Sequence, residues 1–420
     1  MSEWKRYKLG DLLRVKHGWA FKGEFFSETG IQSILTPGNF YESGGFKANT
    51  SKDRFYIGEY PKEYLCSKGD LIVAMTEQAA GLLGSTAIVP EDNRYLHNQR
   101  IGLISCNESL NKDFAYYLFM TQSVRQQISR SASGTKVKHT SPEKIYDVQV
   151  DIPKIQTQKN IAIFLSILDK KIQINNQINQ ELEDMAKTLY DYWFVQFDFP
   201  DQNGKPYKSS GGKMVYHPEL KREIPEGWGV ETLKDFESKI ITGKTPSRAN
   251  SDNFGGEIPF ITIGDIRGNT FIYSTSETLT DLGASVQQNK YLPEGSLCVS
   301  CIATVGEIGF TTEWSHTNQQ INSIVFEDET NRYYLYFALK NYFENANASA
   351  KTGNTFANMN KEDFSGIRII LPRNEIKNNF HKITEPYFAQ IKCLQGQNQE
   401  LTQLRDWLLP MLMNGQVKVE

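Results

Sequence analysis

Cys298 and Cys301, in LCVSCIATVG, are the closest pair of metal-ligating side chains in the sequence. Zinc needs two further ligands at matching spacing, and neither a second cysteine pair nor a His-x-x-x-His is present, so the segment reads as a small-residue core strand. The five cysteines, an odd number in a long chain, argue against a disulfide framework. TGKTPS around Gly243 resembles the end of a phosphate-binding loop, but GxxxxGK[ST] would require glycine at 238, where Ser238 stands, and Pro246 interrupts the helix that should follow. A nuclease-like set can be assembled from Pro225-Glu226 and Glu237-Ser238-Lys239, since metal-dependent cleavage needs converging carboxylates with a lysine nearby. Its counterparts in the first half of the chain include Leu13 and Val15, which are apolar, so the set has no chemical meaning there. No Pro-Pro occurs, hence no [DN]-P-P-[YF] to hold a flipped adenine's amino group. The 6 histidines form no triad or metal cluster. No catalytic site is legible, and no cofactor or metal of the chain's own is expected.

Binding residues are easier to find. Lys136, Lys138 and His139 crowd into GTKVKHTS, and Lys351, Thr352 and Asn354 surround Gly353 in a second, amide-rich loop. Lysine suits phosphate or guanine, and asparagine suits adenine edges. Lys52, Arg54, Lys244, Ser247, Arg248 and Arg267 lie in other turn-rich stretches and complete the DNA-binding candidates. For each alone, solvated loop charge is the alternative. The net charge of −3 (46 Lys+Arg against 49 Asp+Glu) lacks the basic excess of a protein that binds DNA unaided. This balance permits DNA binding only through local basic loops, or with a partner supplying much of the phosphate contact; on charge alone the bland reading, a protein that does not bind DNA, is favoured.

The elements that must position these residues come from a repeat. Residues 133–153 align with 352–372 at an offset of 219: Gly134 with Gly353, Glu143 with Glu362, Pro153 with Pro372. The same offset continues through Asn160/Asn379, Ile172/Ile391 and the identical NQEL at 179–182 and 398–401. Earlier parts match at drifting offsets. Trp4, Leu9 and Asp11 correspond to Trp228, Leu233 and Asp235; Gly30, Thr36 and Gly38 to Gly256, Thr262 and Gly264; Asn98-Gln99 to Asn318-Gln319. Insertions in loops explain the drift. Each half therefore holds a globular part free to change and a following segment of fixed length.

The fixed segment reads as a helix of roughly 35 to 40 residues, about 55 Å long. An apolar heptad places Ile161, Leu168, Asn175, Leu182 and Leu189 in one row and Phe164, Lys171, Ile178, Met185 and Tyr192 in the other. In the second copy the rows are Phe380, Tyr387, Leu394, Leu401, Leu408 and Ile383, Gln390, Gln397, Leu404, Met411. So long a helix with one apolar stripe needs a partner, and the two copies are the obvious pair; helices buried in one globular domain are the alternative. Pro386 and Gly396 predict a kink in the second. The run LYDYWFVQFDF holds more aromatics than a seam can bury, so Tyr190, Trp193 and Phe194 either cap the helix pair or dock another subunit, and Trp407 is grouped with them. The globular parts alternate short β-type runs with helical patterns. Residues 200–227, rich in Gly, Ser, Lys and Pro, read as a linker. The segments are thus 1–153, 154–199, 200–227, 228–372 and 373–415. The composition, 39% hydrophobic and 23% charged, excludes a disordered chain. No signal-like start or run of about 18 apolar residues appears, so a soluble, cytoplasmic protein without membrane partners is expected.

PKIQTQKNIAIFLSILDKKI, LEDMAKTLYDYWFVQFDFP, GKPYKSSGGKMVYHPELKREIPEGW and ITGKTPSR together resemble specificity subunits of Type I restriction-modification systems, over essentially the whole chain. PRNEIKNNF departs from the family's Gln-rich helix opening. The resemblance implies an α+β protein in which two mixed α/β target recognition domains (1–153 and 228–372) are each followed by a long helix, the helices pairing as an antiparallel coiled coil. It implies a non-catalytic subunit that reads a gapped, bipartite double-stranded DNA site. Two modification subunits would carry S-adenosylmethionine and methylate adenine, and restriction subunits would bring ATP and Mg. A coiled-coil scaffold that never touches DNA is the competing reading.

Overall fold

A computed structural model describes residues 4–48, 53–77, 81–134, 137–350 and 358–419, with backbone alone at 347–350. The chain forms two compact units, residues 1–171 with 401–420 and residues 172–400. Each long helix, Ile155–Tyr190 and Asn374–Met413, contributes one part to each unit.

In the first unit, Leu71–Ala74 is the central strand. Its LIVA sequence is buried on both faces, and it lies between Ile101–Cys106 and Thr86–Ile88 with Leu13–His17 beyond, every pairing antiparallel. A continuous apolar run of this length fits a strand covered on both sides. Lys5–Lys8 pairs antiparallel with Gln149–Ile152, so the first and last strands of the globular part lie side by side. The helices Lys112–Met120 and Gln122–Ser131 meet at Thr121, which ends one and caps the other by accepting from the Val124 amide.

The second unit repeats this plan. Ile240–Thr242, Ile321–Ile324, Leu297–Ser300 and Ile308–Thr311 follow the same spatial order, with Phe271–Ile272 added in parallel at the edge. Gly229–Thr232 pairs with Arg368–Leu371 as the closing strands. Thr36 and Asn39 form a capping box in one unit, and Thr262 and Asp265 form its counterpart in the other. Cys298 lies on the core strand and Cys301 follows it; both are buried, and burial lifts the Cys298 thiol to about 12 and the Cys301 thiol to about 11. Glu237 is buried and structural, accepting from the Asn331 amide at 2.7 Å and the Glu327 backbone at 3.1 Å.

Three expectations need correction. The segment 200–227 is no free linker. It contains the antiparallel hairpin Met214–His217/Arg222–Pro225, and Phe199 stacks between Tyr207 and Trp228 at 4.7 and 5.0 Å. Its turn residues build a compact excursion instead of a tether.

The helical seam also runs one residue away from the expected second row. Ile161, Leu168 and Asn175 do face inward. Their companions are Leu165, Ile172, Asn179 and Ala186, while Lys171, Ile178, Met185 and Tyr192 are exposed. The second helix shows the same shift: Thr384, Ile391, Asn398, Arg405 and Leu412 replace Ile383, Gln390, Gln397, Leu404 and Met411. Exposed apolar residues such as Ile178 and Met185 imitated a buried row. In the second unit the helices run antiparallel. Asn175 donates to Asn398 Oδ1 and Gln397 Oε1, both at 2.8 Å, and Asn398 donates to Asn176 at 2.7 Å. A polar layer of this kind fixes register at some cost in stability.

Finally, the second helix is continuous through Pro386, which lies on its exposed face. Gly396 has a packing reason: a Cβ there would come within 3.0 Å of the Tyr273 ring, whose hydroxyl donates to the Lys392 carbonyl at 2.7 Å. The altered opening is also explained. Buried Gln158 ties the first helix down by accepting from the Asn111 amide and donating to the Ser109 carbonyl, at 2.9 and 3.0 Å. At the same repeat position the nearly buried Lys377 pairs with Asp328 at 3.3 Å.

Candidate nucleic-acid interface

One construction recurs in both units where the first sheet strand ends. In the first unit the strand Leu13–His17 runs into Gly18, and the Trp19 amide donates to the His97 carbonyl at 2.9 Å. The chain crosses so closely that a Cβ at Gly18 would fall 2.1 Å from the Asn98 carbonyl oxygen. Asn98 Oδ1 accepts from the Arg100 amide at 3.1 Å, locking a turn that leaves Gln99 and Arg100 exposed. In the second unit the Lys244 amide donates to the Thr317 carbonyl at 3.0 Å, and a Cβ at Gly243 would fall 2.2 Å from the Asn318 carbonyl oxygen. Asn318 Oδ1 accepts from the Gln320 amide at 3.0 Å, and exposed Gln319 accepts from the Thr245 hydroxyl at 2.5 Å. The glycine of TGKTPS thus serves a chain crossing, not a phosphate.

Charge gathers at this place in the second unit. Lys290 donates to the Thr242 carbonyl at 2.6 Å. Burial lowers its pKa, and the nearby ammonium groups of Lys361 and Lys244 lower it further. Lys290, with the ammonium groups of Lys361 and Lys244 nearby, offers a candidate seat for a phosphate or a polar base edge. In the first unit Lys16 and His17 approach His97, whose pKa burial depresses to about 4. Lys16 also sits over the Tyr64 ring at 4.4 Å.

Of the residues proposed from sequence, Lys244 belongs to this cluster, and Arg54 is an exposed side chain with no salt bridge to a described residue. Arg248 is held by both oxygens of Glu277 at 2.9 and 2.8 Å, and Ser247 offers its carbonyl to Asn253 at 2.9 Å. Arg267 meets Glu307 at 3.1 Å and Thr304 at 3.3 Å. Lys138 lies 3.9 Å from Glu77 and 3.3 Å from the Ser129 hydroxyl. His139 bonds Thr76 at 3.1 Å and pairs with Ser133 through the backbone. Exposed ion pairs are worth about 0–1 kcal/mol, so a phosphate can displace these carboxylates at little cost. Lys52, Lys136, Lys351, Thr352 and Asn354 lie outside the described residues.

Tyr190, Trp193 and Phe194 do not offer a docking surface. They are buried against Phe380, with centroids 6.2, 6.1 and 5.1 Å from its ring, so they cap the helix pair from within. Trp407 is exposed. An apolar stripe on the first long helix went unrecognised in the sequence. It comprises Ile163 and Ile167 in one unit and Ile174, Ile178 and Met185 in the other, with Ile163 58% and Ile174 52% exposed. Within each unit these residues are four or seven apart, about one or two helical turns, so they share one face of that unit's helix segment. Sequence reasoning also missed Gln99, Arg100, Gln319, Lys290 and Lys361. The Asn-Gln match at offset 220 was the available signal for two of them.

Among the described residues no group of three His, Cys, Asp or Glu side chains could hold a metal ion, and no helix is long and apolar enough to cross a membrane.

Comparison with known proteins matches the repeat. A family profile described as the Type I restriction modification DNA specificity domain matches residues 1–184 and again 225–403. The chain is 30% identical to the Type I restriction enzyme HindI specificity subunit of Haemophilus influenzae, over 99% of this chain and 100% of that protein. It is 26% identical to the MjaIX specificity subunit of Methanocaldococcus jannaschii, over 77% and 73%. In fold it resembles the crystal structure of a Type I restriction-modification S subunit from M. genitalium, at 15% identity and a TM-score of 0.55, covering 98% of this chain and 96% of that one.

Proposed function

Since this chain belongs to the Type I restriction-modification DNA specificity family, we propose that it reads a gapped, bipartite double-stranded DNA site, one half with each globular part. Specificity subunits are the non-catalytic, DNA-recognising components of their complexes. The observation that carries the bipartite reading is the doubled construction above. Two globular parts with different surfaces each present an exposed glutamine on an asparagine-locked turn, beside basic residues. Amide side chains suit adenine edges, and lysines suit phosphate or guanine.

The scaffolding half of the proposal rests on the long helix. Two modification subunits dock on the exposed apolar residues of the long helices: Ile163 and Ile167, with Trp407 of the second helix, in the first unit, and Ile174, Ile178 and Met185 in the second. Contiguous exposed apolar residues on a well-packed helix mark an interaction face. S-adenosylmethionine belongs to those modification subunits, and ATP and Mg belong to the restriction subunits that join them. The net charge of −3 agrees with shared phosphate contacts.

Co-expression with the methyltransferase subunit, followed by genome-wide mapping of methylated adenines, tests the reading. Methylation confined to a two-part motif is expected, and Gln99→Ala or Gln319→Ala should each relax one half of that motif. Methylation with no sequence preference would overturn it.

A further inference from the structure

Among the described residues two half-buried ion pairs join one repeat copy to the other, and their charges are sorted by copy; the Lys377–Asp328 pair lies within the C-terminal copy. In the first unit Asp169 of the first long helix pairs with Arg405 of the second at 2.9 Å, and the Tyr117 hydroxyl donates to the same carboxylate at 2.6 Å. In the second unit Glu183 pairs with Lys340 and accepts from the Tyr336 hydroxyl at 2.7 Å and the Thr270 hydroxyl at 3.0 Å. All four side chains are at most about a third exposed. Tyr117 and Tyr336 are equivalent in the repeat, both 219 residues apart like the helices themselves. The cations and carboxylates are not equivalent. At that offset Asp169 corresponds to Phe388, Glu183 to Thr402, Arg405 to Ala186 and Lys340 to Thr121. In the second unit, counting ten residues along each helix from the Asn176–Asn398 bond brings Ala186 opposite Phe388, both fully buried in one core. One repeat position is therefore ionic in the first unit and apolar in the second.

Both acids belong to the N-terminal copy and both cations to the C-terminal copy. We propose that this sorting is a pairing code: the N-terminal half of the chain accepts the C-terminal half as its helical partner and rejects a second N-terminal half, and the C-terminal half likewise rejects its own kind. The repeat makes the wrong pairings sterically plausible, because seam positions, the closing strands and the tyrosine recur. If two N-terminal copies paired, Tyr117 of one would meet its own Asp169 and the other's Glu183. Thr121 and Ala186 would occupy the places of the cations. Each junction would hold two carboxylates around one hydroxyl with no counter-charge. Two C-terminal copies would set Arg405 against Phe388 and Lys340 against Thr402, two cations with no acid. A half-buried charge without its partner is disfavoured, and charge pairs of this kind choose partners in coiled coils. The asparagine layer does not discriminate, since Asn176 would find Asn179 in an N-terminal pair.

The test starts from the full chain with a protease site inserted at the exposed turn around Gly211. The folded protein is cut, unfolded in denaturant, refolded and examined by native mass spectrometry. Complexes of one N-terminal and one C-terminal half should outnumber both homotypic kinds at least tenfold. With Asp169→Asn and Glu183→Gln together, N-terminal pairs should rise toward the statistical share. Scrambling of the unaltered halves, or a neutralised variant that excludes N-terminal pairs as strictly, overturns the proposal. Should the cut halves not refold, uncut chains give the answer. Arg405→Asp with Lys340→Glu should lower the denaturation midpoint, and adding Asp169→Arg with Glu183→Lys should restore it. Absence of that rescue overturns the proposal equally.

Discussion

Gly243 passes so close to Asn318 that a side-chain carbon would sit 2.2 Å from its carbonyl oxygen, and Gly18 stands in the same relation to Asn98 at 2.1 Å. The obstacle in each case is backbone, which cannot swing aside. Gly243→Ala should therefore destabilise the second unit by about 1–3 kcal/mol, the usual cost of overpacking, and displace the turn carrying Gln319. A thermal melt checks the first part. An unchanged melting temperature would mean that the crossing is looser than the geometry requires.

Replacing Lys244, Lys290 and Lys361 together by alanine should weaken DNA binding by the assembled complex. The slope of log affinity against log salt should fall by about 1 for each lysine that meets a phosphate. Binding measured across a salt series decides this. If affinity drops while the slope stays constant, the lysines shape the loop and do not meet phosphate.

Ile174→Glu with Ile178→Glu alters exposed side chains, so the subunit should keep its melting temperature within about 1 kcal/mol of stability. Recovery of the modification subunit with a tagged specificity subunit should fall sharply. Intact co-purification would remove this face of the helix from the partner interface.

Acid should destabilise the protein through two buried histidines. Burial depresses both His97 and His316 to about 4, from an unfolded value near 6.5. Between those values the unfolded chain binds protons that the folded chain refuses. Stability is thus complete above pH 6.5 and declines as pH falls toward 4, by up to about 3 kcal/mol for each histidine. His316→Phe should flatten part of the decline, because the ring nitrogens have no hydrogen-bond partner among the described residues and the ring lies 4.1 Å from that of Tyr291. Urea midpoints at pH 7 and pH 5 measure it; an equal drop in the variant would assign the acid sensitivity elsewhere.

The repeat, the two long helices and the recurring strands were legible because each rests on local periodicity or a fixed offset. The phase of the seam was not. Leu165 and Ile172 lie one residue from Phe164 and Lys171, and exposed Ile178 and Met185 completed a plausible second row. Periodicity reports that a helix has apolar faces but not which face meets the partner. Lys290 and Lys361 escaped notice because only the fold brings them to Lys244. Tyr190, Trp193 and Phe194 were recognised as too many rings for a seam, and their burial around Phe380 explains the excess.

The pairing of Lys5–Lys8 with Gln149–Ile152, and of Gly229–Thr232 with Arg368–Leu371, has a consequence for how such a chain can change. Each globular part enters and leaves through two neighbouring strands, so its ends are already joined at a single doorway. A foreign insert need only reproduce that doorway and the polar tie at Gln158 or Lys377. What lies between can be exchanged wholesale as a cassette, and the chain can acquire a new target without renegotiating the scaffold.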